Sequence, residues 1–261
     1  MSETHAILEL ARGLAHEAGK IQRDRYETDI EIRTKGASID LVTEVDHACE
    51  KLIVETLASE RPDDAILAEE GGGTDREDAE WRWIIDPLDG TTNYAHGYPR
   101  FCVSIGIEHR DERSVGVVYD PLLDELYSAV RGEGATCNDR PIRVSPEPNL
   151  GNALLATGFA YDVHRSLEDN LDHFAHVVKQ ARAVRRDGSA ALDLCYVAAG
   201  RFDGFWEMKL HPWDVAAGML IVEEAGGRVS NMKGGPADRS GRQTVATNGQ
   251  IHDVLIRLLA R

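Results

Sequence analysis

Apolar residues at Ile7, Leu8, Leu14 and Ile21 interrupt an otherwise polar stretch and predict an amphipathic helix from Glu3 to Tyr26. Alternation at Ile30 and Ile32 then predicts a short strand entering an exposed turn, Lys35-Gly36-Ala37-Ser38. Thr43 followed by Asp46 has the form of an acidic capping box, and Val45, Cys49, Leu52, Ile53, Thr56 and Leu57 continue one helical face until Pro62 stops it. Ala65 to Ala68 is a short apolar run ending on Glu69-Glu70, and Gly71 to Glu80 is a polar, glycine-rich loop. Trp81 to Ile85 reads as a buried strand that delivers Asp86 at its C-terminal end.

From Phe101 to Val144 strand-like runs alternate with turns. The runs are Cys102 to Ile107, Val115 to Tyr119 and Leu126 to Val130, and the turns include Asp120-Pro121 and Arg131-Gly132, which together suggest an antiparallel meander. Pro146 and Pro148 then punctuate a loop, so the chain divides into two αβ halves, residues 1–145 and 146–261. The second half predicts a strand near Asn152 to Thr157, a helix near Leu167 to Arg182 and a strand near Phe202 to Met208. A helical run follows Trp213-Asp214 as far as Ala225, where Gly226-Gly227 ends it; strands at Arg228 to Asn231 and Thr244 to Thr247 and a helix from Ile251 complete the pattern. The pattern is that of a mixed α and β protein.

Charge narrows the possible partners. With 45 acidic against 29 basic residues the net charge is -16, which repels nucleic-acid backbones and anionic membranes. A phosphorylated small molecule would be repelled too, unless bound cations reverse the field locally. The four cysteines, Cys49, Cys102, Cys137 and Cys195, lack the paired spacing of a zinc site or a disulfide framework. The N-terminal segment lacks the unbroken apolar run of a signal peptide or spanning helix, so a cytoplasmic protein is expected.

Candidate chemistry centres on Asp86-Pro87-Leu88-Asp89-Gly90-Thr91-Thr92-Asn93. Two carboxylates that converge raise each other's pKa unless a hard cation sits between them, and Mg²⁺ prefers oxygen ligands. If Gly90-Thr91-Thr92 opens a helix, its free N–H groups form a phosphate cradle beside the metal. Taken alone, the segment also fits a surface turn or an aspartyl nucleophile. The run Trp83-Ile84-Ile85 argues against the turn, and a separation of three residues between the aspartates argues against the nucleophile. Lys35 and Asp214 each have a plain alternative, a surface lysine and a helix cap. His173 and His176 share a helical spacing, but their polar neighbours mark a solvated face.

Trp-Ile-Ile-Asp-Pro-Leu-Asp-Gly-Thr-Thr-Asn at 83–93, Trp213-Asp214-Val215-Ala216-Ala217-Gly218, and Asp40-Leu41-Val42-Thr43 followed by Asp46 resemble the inositol monophosphatase family over nearly the whole chain. The resemblance implies an α+β fold of αβαβα layers, shared with fructose-1,6-bisphosphatase, a homodimer, and lithium sensitivity. It implies metal ligation by Glu69, Asp86, the Leu88 carbonyl, Asp89 and Asp214, with Thr91, Glu69 and Asp46 orienting a water and Lys35 on the turn beside the site. Gly90, Thr91 and Thr92 would hold phosphate, while Gly188, Ser189, Ala190 and Glu207 would contact substrate hydroxyls; serine stands at 189 where the family has threonine. The implied reaction is in-line attack of metal-activated water on a phosphomonoester, with a second Mg²⁺ stabilising the leaving alkoxide. Inositol 1-phosphate is the expected substrate, ahead of histidinol phosphate, fructose 1,6-bisphosphate and nucleotide 3′-phosphates. A catalytically silent regulatory protein on the same fold is the alternative from another class.

Overall fold

The computed structural model describes residues 2–35, 39–76 and 78–260, so Gly36, Ala37 and Ser38 of the expected turn lie outside the described residues. The chain opens with α1 (Glu3–Arg25), a hairpin of β1 (Ile32–Thr34) and β2 (Leu41–Thr43), and α2 (Glu44–Glu60). The Thr43 side chain accepts the Asp46 N–H while Asp46 Oδ2 accepts the Thr43 N–H at 2.9 Å, which completes the capping box.

Seven strands follow: β3 (Ala65–Ala68), β4 (Trp81–Asp89), β5 (Cys102–His109), β6 (Glu112–Asp120), β7 (Glu125–Val130), β8 (Gly134–Cys137) and β9 (Arg140–Pro141), with the short helix α3 (Thr91–Ala95) between β4 and β5. They lie in chain order in one sheet, antiparallel except for the β3–β4 pair. The expected meander is present, and it continues through two strands that the pattern did not mark. β4 runs four residues past Ile85, through the aspartates themselves.

The remaining elements are β10 (Leu154–Thr157), α4 (Leu171–Val178), β11 (Ala183–Arg185), α5 (Ala190–Ala198), β12 (Gly204–Met208), α6 (Pro212–Glu224), β13 (Arg228–Ser230), β14 (Gln243–Thr247) and α7 (His252–Leu259). A second sheet takes the order β11-β10-β12-β14-β13. The helix expected from Leu167 to Arg182 is shorter at both ends. Asn170 stands before it at φ 68°, and its side chain bonds Thr157 Oγ1, Gly158 O and the Trp206 indole N–H, so the preceding residues cannot join a helix.

Three apolar clusters separate five layers, α, β, α, β and α. One packs Ile7, Leu14, Cys49, Ile53 and Leu57 of α1 and α2 against Trp83, Ile85, Ile105 and Val117 of the large sheet. The second joins the opposite face of that sheet, through Val118, Tyr127 and Ala129, to α5, α6 and Phe205 of the small sheet. The third packs Trp206 and Val245 against Val177 of α4 and Leu255 and Leu258 of α7. Phe205 and Trp206 point to opposite faces, as the two-residue strand period requires. Among the described residues no helix is long and apolar enough to cross a membrane.

His252, which opens α7, is fully buried. Ser230 Oγ–H donates to Asn231 O, so Ser230 is free to accept from His252 Nε2–H at 2.9 Å, while Thr247 Oγ1–H donates to Nδ1 at 2.9 Å. Burial, with Arg228 nearby, lowers the imidazole pKa to about 4; Asp253 opposes the shift. The folded state therefore favours neutral histidine, and the associated stability, present above the unfolded pKa of about 6.5, is lost as pH falls toward 4. The loss is on the order of 2–3 kcal/mol. Urea unfolding of wild type and His252→Gln at pH 7.5 and 4.5 will show a stability difference in favour of wild type that shrinks by this amount at the lower pH; a difference independent of pH would refute the assignment.

Candidate functional site

The C-terminal end of β4 and the N-termini of α3, α5 and α6 meet at one cavity of about 480 Å³. Glu69, Asp86, Leu88, Asp89, Gly90, Thr91, Thr92, Gly188, Ser189, Ala190, Glu207 and Asp214 all line it. Lys35 and Asp46 are absent from the wall but touch residues that form it. Lys35 Nζ lies 2.7 Å from Glu69 Oε1 and 2.5 Å from Glu70 Oε1, and Asp46 Oδ1 accepts the Thr91 hydroxyl at 2.9 Å. The structure thus brings together every residue that the sequence nominated.

α6 reaches the site because small residues let it sink onto the sheet. A Cβ on Gly106 of β5 would lie 2.6 Å from Ala216 Cβ, and one on Gly116 of β6 would lie 2.7 Å from Ala217 O. On its other side, a Cβ on Gly218 would meet Leu194 of α5 at 2.7 Å. Ala216-Ala217-Gly218 is therefore the contact surface of a helix pressed from two sides, and the helix carries Asp214 in its first turn. Gly90, at φ 100°, makes the sharp passage from β4 into α3, where a Cβ would strike Arg100 O at 2.8 Å.

Carboxylate oxygens of Asp86, Asp89 and Asp214 lie within 4.8 Å of one another. No other group of three potential ligands occurs among the described residues, and His173 and His176 form none. Burial raises all three pKa values. Glu69, Asp89 and Asp214 push Asp86 up further, and Asp89 does the same to Asp214. Each acid is nevertheless held by donors on one side. Asp86 Oδ1 accepts the Leu88 N–H at 3.0 Å, and Asp214 Oδ2 accepts the His211 N–H at 2.7 Å. Asp89 Oδ2 accepts the Ser189 hydroxyl at 2.6 Å and the Ala191 N–H at 2.7 Å. Asp214 thus both faces the cavity and caps α6, from the third helical position, with His211 as the N-cap.

An all-oxygen set with unneutralised buried charge fits a hard divalent cation. Lys35, the nearby cation, is engaged by Glu69 and Glu70. Burial raises the Glu69 pKa to about 7, with the Lys35 charge pulling the other way. Glu207 rises to about 8, also by burial, opposed by Arg186. Arg186 and the apolar wall of Phe159, Tyr161, Val163 and Leu171 escaped the sequence reading. Arg186 had one available signal, its place two residues before Gly188. The wall had none, because its loop has no periodicity.

Since these acids carry raised pKa values in the fold, the protein without divalent cations must take up protons or bear their repulsion. Asp86→Asn keeps an acceptor for the Leu88 N–H and removes the charge. It is expected to raise the melting temperature of the cation-free protein at pH 8 by about 3 °C or more, by calorimetry in chelator; a lower value would show that repulsion is not what limits this region.

A family model described as the inositol monophosphatase family matches residues 3–261. An inositol-1-monophosphatase of Synechocystis sp. is 47% identical over 98% of this chain and 87% of its own. The Nus factor SuhB of Pasteurella multocida is 44% identical over 88% of this chain and 86% of its own. The solved structure of inositol monophosphatase from Anabaena superposes with a TM-score of 0.90 at 44% identity, covering 99% of this chain and 97% of that one. By its sequence, its layers and its matched extent, the chain belongs to the inositol monophosphatase family.

Proposed function

We propose that the chain hydrolyses small phosphomonoesters in the cytoplasm with Mg²⁺ as its metal, that it works as a homodimer, and that inositol 1-phosphate is its preferred substrate. The observation that carries this reading is the cluster of buried Asp86 and Asp89 with half-buried Asp214, beside the Thr91–Asp46 hydrogen bond. Glu69, the three aspartates and the Leu88 carbonyl would hold the metal. When bound, Mg²⁺ supplies the positive charge that neutralises these acids and polarises the phosphate.

The chain's own residues do the rest. Thr91 Oγ1–H points to Asp46 Oδ1, which leaves the hydroxyl oxygen able to accept a proton of an attacking water. Asp46 Oδ2 is itself held by the Thr43 N–H and hydroxyl, so the Thr91 oxygen is fixed in direction. Glu69 lines the cavity beside the aspartates, where it would help to orient that water. First-turn N–H groups of α3 have no partners within the helix and suit a phosphate oxygen. Glu207, protonated near neutral pH, offers a donor and an acceptor to a polyol. Gly158 leaves room for it, since a Cβ there would lie 2.1 Å from Glu207 Oε1.

Thr91→Ala is expected to lower kcat by about 10²–10³-fold, while Mg²⁺ still raises the melting temperature as in wild type; unchanged kcat would remove Thr91 from the mechanism. Asp89→Asn is expected to lose turnover even at saturating Mg²⁺. In a panel of inositol 1-phosphate, histidinol phosphate, fructose 1,6-bisphosphate and a nucleotide 3′-phosphate, inositol 1-phosphate should show the highest kcat/KM. Another winner would replace the substrate, and no Mg²⁺-dependent phosphate release from any of them would favour a catalytically silent regulatory binding protein.

A further inference from the structure

The buried face of α1 is apolar at Ile7, Ala11, Leu14, Ala15 and Ala18, and then admits an amide, Gln22, which is fully buried. A buried amide is retained where it has partners. Gln22 Nε2 donates to Pro87 O at 2.7 Å and more weakly to Cys102 O at 3.3 Å, and the Gln22 backbone carbonyl accepts the Tyr94 hydroxyl at 2.7 Å. Among the described residues Gln22 Oε1 has no partner, so the amide is oriented by its donors.

Those donors are aimed at a break in the sheet. The β4–β5 register runs from Asp86 opposite Ser104 to Asp89 opposite Cys102, three steps on one strand against two on the other. Pro87 lies inside the bulge, and Gln22 supplies its carbonyl with a partner. The carbonyl of Pro87 and the N–H of Leu88 belong to one planar peptide unit. That N–H donates to Asp86 Oδ1. Gln22 and Asp86 therefore grip opposite edges of the same rigid plane.

We propose that Gln22 is a positioning residue of the metal site: by holding the Pro87 carbonyl it fixes the Pro87–Leu88 peptide plane, and through it the Asp86 carboxylate, in the orientation that a divalent cation needs. The proposal rests on the metal-binding reading above. Its effect is on metal affinity and not on the chemical step, because Gln22 lies behind the loop and does not line the cavity.

The test is calorimetric titration of the full chain with MgCl₂, alongside the Mg²⁺ dependence of phosphate release. Gln22→Leu should weaken Mg²⁺ binding about tenfold, the low end for partners that orient a ligand from behind. The half-activating Mg²⁺ concentration should rise by the same factor, with kcat at saturating Mg²⁺ within about twofold of wild type. Gln22→Met, closer to glutamine in shape, carries the same expectation should the leucine variant fold poorly. Tyr94→Phe loosens α1 without touching the amide, and should lower the unfolding midpoint while leaving the Mg²⁺ affinity unchanged. Wild-type affinity in the Gln22 variants would overturn the proposal alone, as would equal weakening by Tyr94→Phe. No Mg²⁺ binding by wild type would overturn it together with the functional reading.

Discussion

Three carboxylates, two buried and one half-buried, with oxygens within 4.8 Å of one another are the constraint around which this molecule is arranged. Such a group opposes folding, since burial and mutual repulsion both disfavour its charged form. The fold counters with directed donors, and most of them are main-chain N–H groups. His211, Leu88 and Ala191 each offer one to a different aspartate. Two of these donors belong to helix N-termini, where unpaired N–H groups and the helix dipole favour negative charge. The carboxylates can therefore be held in place on one side while their other oxygens stay turned to the cavity. The acids are thus placed by the fold itself, in an arrangement that suits a divalent cation.

The close packing of α6 serves the same end. Asp214 comes from the second half of the chain and Asp86 and Asp89 from the first, so their approach is limited by how near a helix can lie to a sheet. Glycines at 106 and 116 and the Ala216-Ala217-Gly218 run remove the side chains that would keep them apart. The segment Trp213 to Gly218 is thus one structural unit, with a ligand at its start and a packing surface directly behind it. A bulkier residue at 106 would press on the Ala216–Ala217 backbone and so displace Asp214.

How legible these features were in the sequence depends on whether they were local. The α2 capping box and β3 were readable because their signals lie within a few residues. The aspartate cluster was readable because two motifs are themselves contiguous. α5 was missed because Ala190 to Ala198 is buried on nearly every side, so it shows no polar face and no helical period. β8, β9 and β11 were missed because strands of two to four residues carry too little alternation to register. The pattern also ended β4 at Ile85, since a strand containing a proline and two aspartates looks like a turn until a neighbouring helix is known to satisfy its carbonyls. The links of Lys35 to Glu69 and of Thr91 to Asp46 join residues 34 and 45 positions apart, and only the resemblance suggested them.

The same division separates chemistry from substrate choice. In the proposed reading, everything that would act on the phosphate derives from the β4 loop, the helix N-termini and Glu69, groups that would treat any phosphomonoester alike. Discrimination among alcohols has to come from the opposite wall, from Glu207, Arg186 and the loop bearing Phe159, Tyr161 and Val163. Glu207 sits on the central strand of the small sheet. Residues 159–163 lie outside the strands and can vary without disturbing them, whereas Gly158 is held to glycine by Glu207. A net charge of -16 adds a further separation: it opposes the approach of a dianionic substrate until cations occupy the floor of the cavity. On the proposed function, metal would therefore bind before phosphate, and the wall would then select among molecules that the charged floor has already admitted.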